Sequence, residues 1–243
     1  MKKCYLTSTI KSASSKVRIL GQSFGYQIFM HQIPDIWQET QGEGVTIAVL
    51  DTGCQVDHVD LVGSFRQPTS DVTDRDSHGT HVSGIITANN NDTGIVGVAP
   101  QVEVIVKKVL NDEGWGTEAM IVEGMREAID EGADIISMSL GAPVDLPDLH
   151  NIIIEAYNKG IAVICAAGNS GDIGMLDFPG RYAETISVGA LDSNNLRAEF
   201  SQTGNRLDFM APGVAINSTI PINSYASYSG TSMATPWMSG VVA

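Results

Sequence analysis

From Val45 onward the chain alternates short, nearly continuous apolar runs with longer stretches of helical period. The runs VTIAVL (45–50), VEVIVKKVL (102–110), ADIISMSL (133–140), IAVICAA (161–167) and ETISVGAL (184–191) are too short for buried helices. They carry the β-branched content of strands covered on both faces. Between them, Glu118 to Glu131 places Ile121, Met125 and Ile129 four apart, and Leu149, Ile153, Ala156 and Tyr157 repeat the spacing in the next segment. Four-residue spacing puts side chains on one helix face. Strand, helix, strand in alternation predicts an α/β fold: a doubly wound, mostly parallel sheet with helices on both faces. No internal repeat or low-complexity linker interrupts it.

Residues 1–22, rich in Ser, Thr and Lys, lack such a period and read as a leader or short pro-segment ahead of a single domain over 23–243. The apolar stretch near the start is broken by Thr7, Ser8, Thr9 and Lys11, unlike a standard secretory signal. No run reaches the roughly 18 apolar residues of a membrane span. Over 243 residues, 43% hydrophobic and 17% charged content describe a chain that folds around a core. The formal charge of −14 gives no basic face for a phosphate backbone, so neither nucleic acid nor membrane is an expected partner. Three cysteines, Cys4, Cys54 and Cys165, make neither a disulfide framework nor a zinc site and fit a reducing, cytoplasmic compartment.

In open α/β sheets ligands sit beyond the carboxyl ends of the strands. Asp51, the segment Ser139–Gly141 and the pair Gly168–Asn169 all fall there. Read alone, Asp51 is a weak signal and reads first as a capping aspartate. His78 lies in SHGTHVSG ahead of a helix-compatible run to Ala88, with Gly79 permitting close backbone approach. His81 is three positions on with no intervening acid, which excludes the HExxH zinc pattern and leaves His81 as a core histidine. Ser232 lies in SGTSMATP, a turn leading into a helix whose first N–H groups can stabilise a developing oxyanion. The glycines at 168, 171 and 174 lack the GxGxxG spacing of a dinucleotide loop.

Taken together and in order, DTG at Asp51, SHGTHVSG at His78, AAGN ending at Asn169 and GTSMATP at Ser232 closely resemble the four signatures of the subtilisin-like serine protease family. The resemblance extends from about Pro34 to the chain end, and DTGC and ICAAGN are most similar to its intracellular members. It implies a serine endopeptidase acting on polypeptides through an acyl-enzyme. Asp51, His78 and Ser232 would be the triad and Asn169 the side-chain donor to the oxyanion. Gly114-Trp115-Gly116 and Ser139-Leu140-Gly141 would pair with substrate backbone, and Ala166, Ala167 and Gly168 would wall the first specificity pocket. It further implies structural calcium, held by side chains of Asp60 and Asn91 and carbonyls of Asn89, Thr93 and Ile95, a stretch that otherwise reads as a polar turn.

Four features depart from the family pattern. Ala142 stands where a second glycine is usual, Trp115 is bulky for its position, and Trp237 replaces the usual histidine of the nucleophile motif. The chain also ends eleven residues after Ser232, from which we expect a C-terminally incomplete domain. Ala142 and Trp115 bear on subsite preference, whereas Trp237 and the early chain end keep open a catalytically silent or truncated relative that binds peptides or regulates an active homologue. Val17–Gly21 only partly resembles the Pro-containing inhibitory segment of the intracellular members.

Overall fold

The structure, a computed structural model, describes residues 2–6, 10–11 and 21–243. Residues 17–20 of the stretch compared with an inhibitory segment lie outside these. In chain order the strands are β1 (Lys3–Leu6), β2 (Ile10–Lys11), β3 (Thr46–Asp51), β4 (Glu103–Lys108), β5 (Trp115–Thr117), β6 (Ile135–Met138), β7 (Leu140–Gly141), β8 (Ala162–Ala166), β9 (Ile186–Leu191), β10 (Phe209–Pro212), β11 (Ile216–Ile220) and β12 (Ser224–Ser229). The helices are α1 (Tyr26–Phe29), α2 (Ile33–Ile36), α3 (His78–Thr87), α4 (Glu118–Asp130), α5 (Pro147–Asn158) and α6 (Thr231–Val242).

A six-stranded parallel sheet in the order β10-β9-β8-β6-β3-β4 forms the centre. Five of its strands are the five apolar runs, four of them trimmed at their ends and β3 shifted by one residue so that it ends on Asp51. The sixth, β10, is a short FMAP segment without an apolar run of its own. Alternation along each strand divides the core. Ile47, Val49, Val104 and Val106 face α3 and α6, whereas Ala48, Leu50, Ile105 and Ile136 face α4 and α5. Both faces are therefore covered, as the apolar runs require.

In α4, Ile121, Met125 and Ile129 are buried as the spacing predicts. In α5 the buried stripe is Leu149, Ile152, Ile153 and Ala156, and Tyr157 is 59% exposed. Eight residues at about 100° each carry Tyr157 roughly 80° around from Leu149, off the stripe.

Strand order reverses between β6 and β3, so the crevice of a doubly wound sheet opens over the ends of these two strands. Asp51 is the last residue of β3, and Ser139 follows β6 directly. A second sheet borders this crevice. Strand β1 lies between β5 and β7, antiparallel to both, with Cys4 opposite Gly116, Tyr5 opposite Trp115 and Gly141, and Leu6 opposite Leu140. Leu6 N–H also donates to Gly114 O at 2.9 Å. Cys4 is fully buried in the α4/α5 side of the core, and Lys3 Nζ sits 3.8 Å from the centroid of the Trp115 ring.

Candidate active site

Helix α3 delivers His78 to the end of β3. The Cβ that any other residue would place at Gly79 would collide with the carbonyl of Gly53, so only glycine lets α3 start this close to the 51–53 turn. His78 Nδ1 and Asp51 Oδ1 are 2.8 Å apart and both side chains are fully buried. Thr52 N–H donates to the same Asp51 oxygen at 2.7 Å. A carboxylate at Nδ1 favours, for the neutral ring, the tautomer that carries its proton there, which leaves Nε2 as the acceptor. That Nε2 is buried and has no hydrogen-bond partner.

Ser232 occupies the first turn of α6, fully buried beneath the crevice. Its hydroxyl donates to Ser139 O at 3.2 Å, while Ser139 Oγ donates to Ser232 O at 2.9 Å. Asn169 is brought to the same helix start: its Oδ1 accepts Thr231 N–H and Thr231 Oγ1–H, each at 2.9 Å. These two bonds orient the amide, because its oxygen is the end that faces Thr231. His81 behaves as a core residue, stacked 4.3 Å from Tyr228 with Nε2 at 3.1 Å from the carbonyls of Ile216 and Ala226.

Asp74, one acid among several in DVTDRDSHG, has no motif of its own. It is buried and takes five hydrogen bonds. Oδ1 accepts from Thr52 Oγ1 (2.9 Å), Asp76 N (3.1 Å) and Ser77 N (2.9 Å), and Oδ2 from Thr80 N (2.9 Å) and Thr80 Oγ1 (2.6 Å). Thr52 Oγ1 in turn accepts the Gly79 N–H at 2.9 Å. One carboxylate thus fixes the residues that follow Asp51 and His78.

The segments 114–116 and 139–141 flank one groove, which β1 fills. Ala166 to Gly168 end β8 beside it, and Gly168 N–H donates to Thr231 Oγ1 at 3.3 Å. Ala142 exchanges two backbone hydrogen bonds with Phe178. Trp237 packs 4.8 Å from His31, donates to Gln27 O at 3.0 Å and is 5% exposed, so the departure from the motif is absorbed in the core. Cys54 and Cys165 are buried as small apolar residues, and burial pushes the Cys54 thiol up to about 12.

Apart from this crevice, Asp60 is 1% exposed. Its Oδ2 accepts Ile95 N–H (2.8 Å) and Tyr225 O–H (2.9 Å), while the buried Oδ1 has no partner. Asn91 Oδ1 accepts from Thr93 N (3.2 Å) and Oγ1 (2.9 Å). The carbonyls of Asn89 and Ile95 converge on Gln22 Nε2 at 2.7 and 3.1 Å. Gln22 had no signal of its own in a polar leader. No group of three or more His, Cys, Asp or Glu side chains clusters for a metal among the described residues. A single carboxylate with amide and carbonyl oxygens is nevertheless the donor set that a hard cation such as Ca²⁺ accepts, and the unpartnered Asp60 oxygen fits it.

Comparison with known proteins gives the family of the chain. Residues 42–243 match the model of the subtilase family. The chain is 46% identical over 228 residues to an intracellular serine protease of Paenibacillus polymyxa, covering 88% of this chain and 70% of that one. It is 46% identical over 213 residues to subtilisin DY of Bacillus licheniformis (85% and 78%) and 42% identical over 231 residues to subtilisin E of Bacillus subtilis (91% and 61%). With a family match over most of its length and identities of this size, the chain belongs to the subtilase family of serine peptidases.

Proposed function

We propose that this chain is an endopeptidase in which Ser232 attacks the peptide carbonyl, His78 moves the proton, Asp51 holds His78 and Asn169 stabilises the oxyanion. The observation that carries the reading is the buried Asp51–His78 contact of 2.8 Å with His78 Nε2 left unpartnered. A neutral imidazole oriented in this way is a general base awaiting a proton. For attack, the Ser232 hydroxyl turns from Ser139 O to His78 Nε2, and its proton passes to that nitrogen as the C–O bond forms. The imidazolium is stabilised by Asp51 and returns the proton to the departing amine. Water then repeats the sequence on the acyl-enzyme. The Asn169 amide, oriented by Thr231, and the N–H groups at the start of α6 meet the negative oxygen.

Residues 1–22 are a short pro-segment of the 23–243 peptidase domain, with β1 standing in the groove that a substrate backbone would take. Extended polypeptides, rather than nucleic acids or membranes, suit a groove whose recognition runs through main-chain pairing. A structural Ca²⁺ is held by Asp60, Asn91 and the carbonyls of Asn89, Thr93 and Ile95. Gln22 joins them by turning its Oε1 inward. A cytoplasmic setting is supported by three unpaired buried cysteines. Among the described residues no helix is long and apolar enough to cross a membrane.

The test is labelling with a serine-reactive phosphonate followed by mapping of the adduct. We expect modification of Ser232 and none in Ser232→Ala. Equal labelling of that variant would remove Ser232 as nucleophile.

A further inference from the structure

Two backbone segments wall the crevice next to Ser232: 139–142 on one side and 166–168 on the other. Their far end is closed by a single stretch that bonds to both. Asp177 N–H donates to Ala167 O at 3.0 Å, and Phe178 exchanges bonds of 2.9 and 2.8 Å with Ala142. A peptide paired as β1 is, with one residue opposite Leu140, places its next residue opposite Ser139, whose carbonyl already holds the Ser232 hydroxyl. That next residue is the one whose carbonyl Ser232 reaches, and its side chain has the space between the two walls.

The closing stretch carries a carboxylate. Asp177 Oδ2 lies 2.8 Å from where a Cβ on Gly168 would stand, which sets it against the pocket wall. Oδ1 is held by Gln202 Nε2 at 3.4 Å, and the same nitrogen donates to Met175 O at 3.1 Å, so a side chain that is itself 1% exposed fixes the carboxylate. Among the described residues no cationic side chain pairs with Asp177. Burial, opposed by the Gln202 bond and reinforced by Asp172, pushes its carboxyl above the ordinary range. A half-buried acid without a counter-ion is unfavourable by itself and gains most from a cation brought by a ligand.

We propose that Asp177 gives the first specificity pocket a preference for substrates with lysine or arginine at the residue whose carbonyl is attacked. This rests on the peptidase reading above. The substrate ammonium or guanidinium passes between the two walls and pairs with Asp177 Oδ2, while Gln202 keeps the carboxylate in place. An uncharged side chain of equal length fills the same space but leaves the acid unpaired.

Two peptidyl phosphonates that differ only in lysine or norleucine at the reacting residue test this. Labelling rates are measured on the whole chain and on Leu6→Pro, in which β1 loses its bond to Gly114, so that occupancy of the groove hides nothing. We expect the lysine reagent to label Ser232 about tenfold faster or more, the scale of a charge-assisted contact. In Asp177→Asn, which keeps an acceptor for Gln202, the ratio should fall to about one with the norleucine rate within about twofold of wild type. Asp177→Glu should retain a lysine preference. A ratio of one in the wild-type chain overturns the proposal whatever the variants do, as does a ratio that Asp177→Asn leaves unchanged. No labelling by either reagent in either background would overturn the peptidase reading itself.

Discussion

Asp74 accepts the Thr52 hydroxyl at 2.9 Å, and through that one oxygen it ties the turn after β3 to the start of α3. Its bonds to Asp76, Ser77 and Thr80 hold the loop that presents His78. Asp74→Asn would oppose an N–H₂ group either to the Thr80 donors or to those of Thr52 and Ser77. A buried acceptor of charge-assisted bonds replaced in this way should cost about 2–3 kcal/mol of stability. Urea unfolding would read the loss, and peptidase turnover should drop with it as the Asp51–His78 geometry loosens. Wild-type stability and turnover in Asp74→Asn would show that the network does not position the site.

Calcium should raise the melting temperature of the wild-type chain. A ligand bound only by the folded state at a hundred times its Kd adds about 2.7 kcal/mol. Asp60→Asn and Gln22→Ala should each shrink the shift between chelator and millimolar Ca²⁺. Identical shifts in wild type and Asp60→Asn would dismiss the assigned ligands.

Leu6→Pro removes the N–H that bonds Gly114 and should disrupt β1 where it crosses the groove. Hydrolysis of small peptide amides should rise several-fold relative to wild type at equal Ser232 labelling capacity. An unchanged rate would mean that β1 does not obstruct substrate.

His31 packs on Trp237 with a buried, unpartnered Nε2, and burial holds its pKa below the usual histidine value. The unfolded chain therefore binds this proton more readily than the folded one. Stability from His31 is complete above about pH 6.5 and declines as pH falls from there through the lower folded value. Melting temperatures of His31→Phe at pH 8 and pH 5.5 should differ less than those of wild type. A larger gap in the variant would mean that protonation of His31 favours the folded chain.

The central sheet was legible because its strands are buried on both faces, which leaves an apolar run for each of five strands. Strand β10 escaped because FMAP is short and its outer end is exposed, with Phe209 51% accessible. Strands β5 and β7 show only through the resemblance, as segments that pair with a backbone, and β1 escaped: the three exist through one another, and a pairing across more than a hundred residues leaves no local period. Asp51, His78, Asn169 and Ser232 stand in motifs that a reader can recognise, and the structure brings Asp51 into contact with His78. Their supports are not in motifs. Asp74, Gln22 and Asp177 are single polar residues in polar loops, and only burial and bonding partners distinguish them from their neighbours.

Because β1 is carried on the same chain as the groove it fills, dilution cannot separate the two. A tethered occupant meets its site at an effective concentration on the order of millimolar, whatever the protein concentration. On the proposed peptidase reading, a free peptide would have to compete at that level, so the resting fraction of open grooves should be a property of the molecule rather than of its abundance. Scission of the tether would change this at once, since the released strand would fall to the concentration of the protein itself and could then diffuse away.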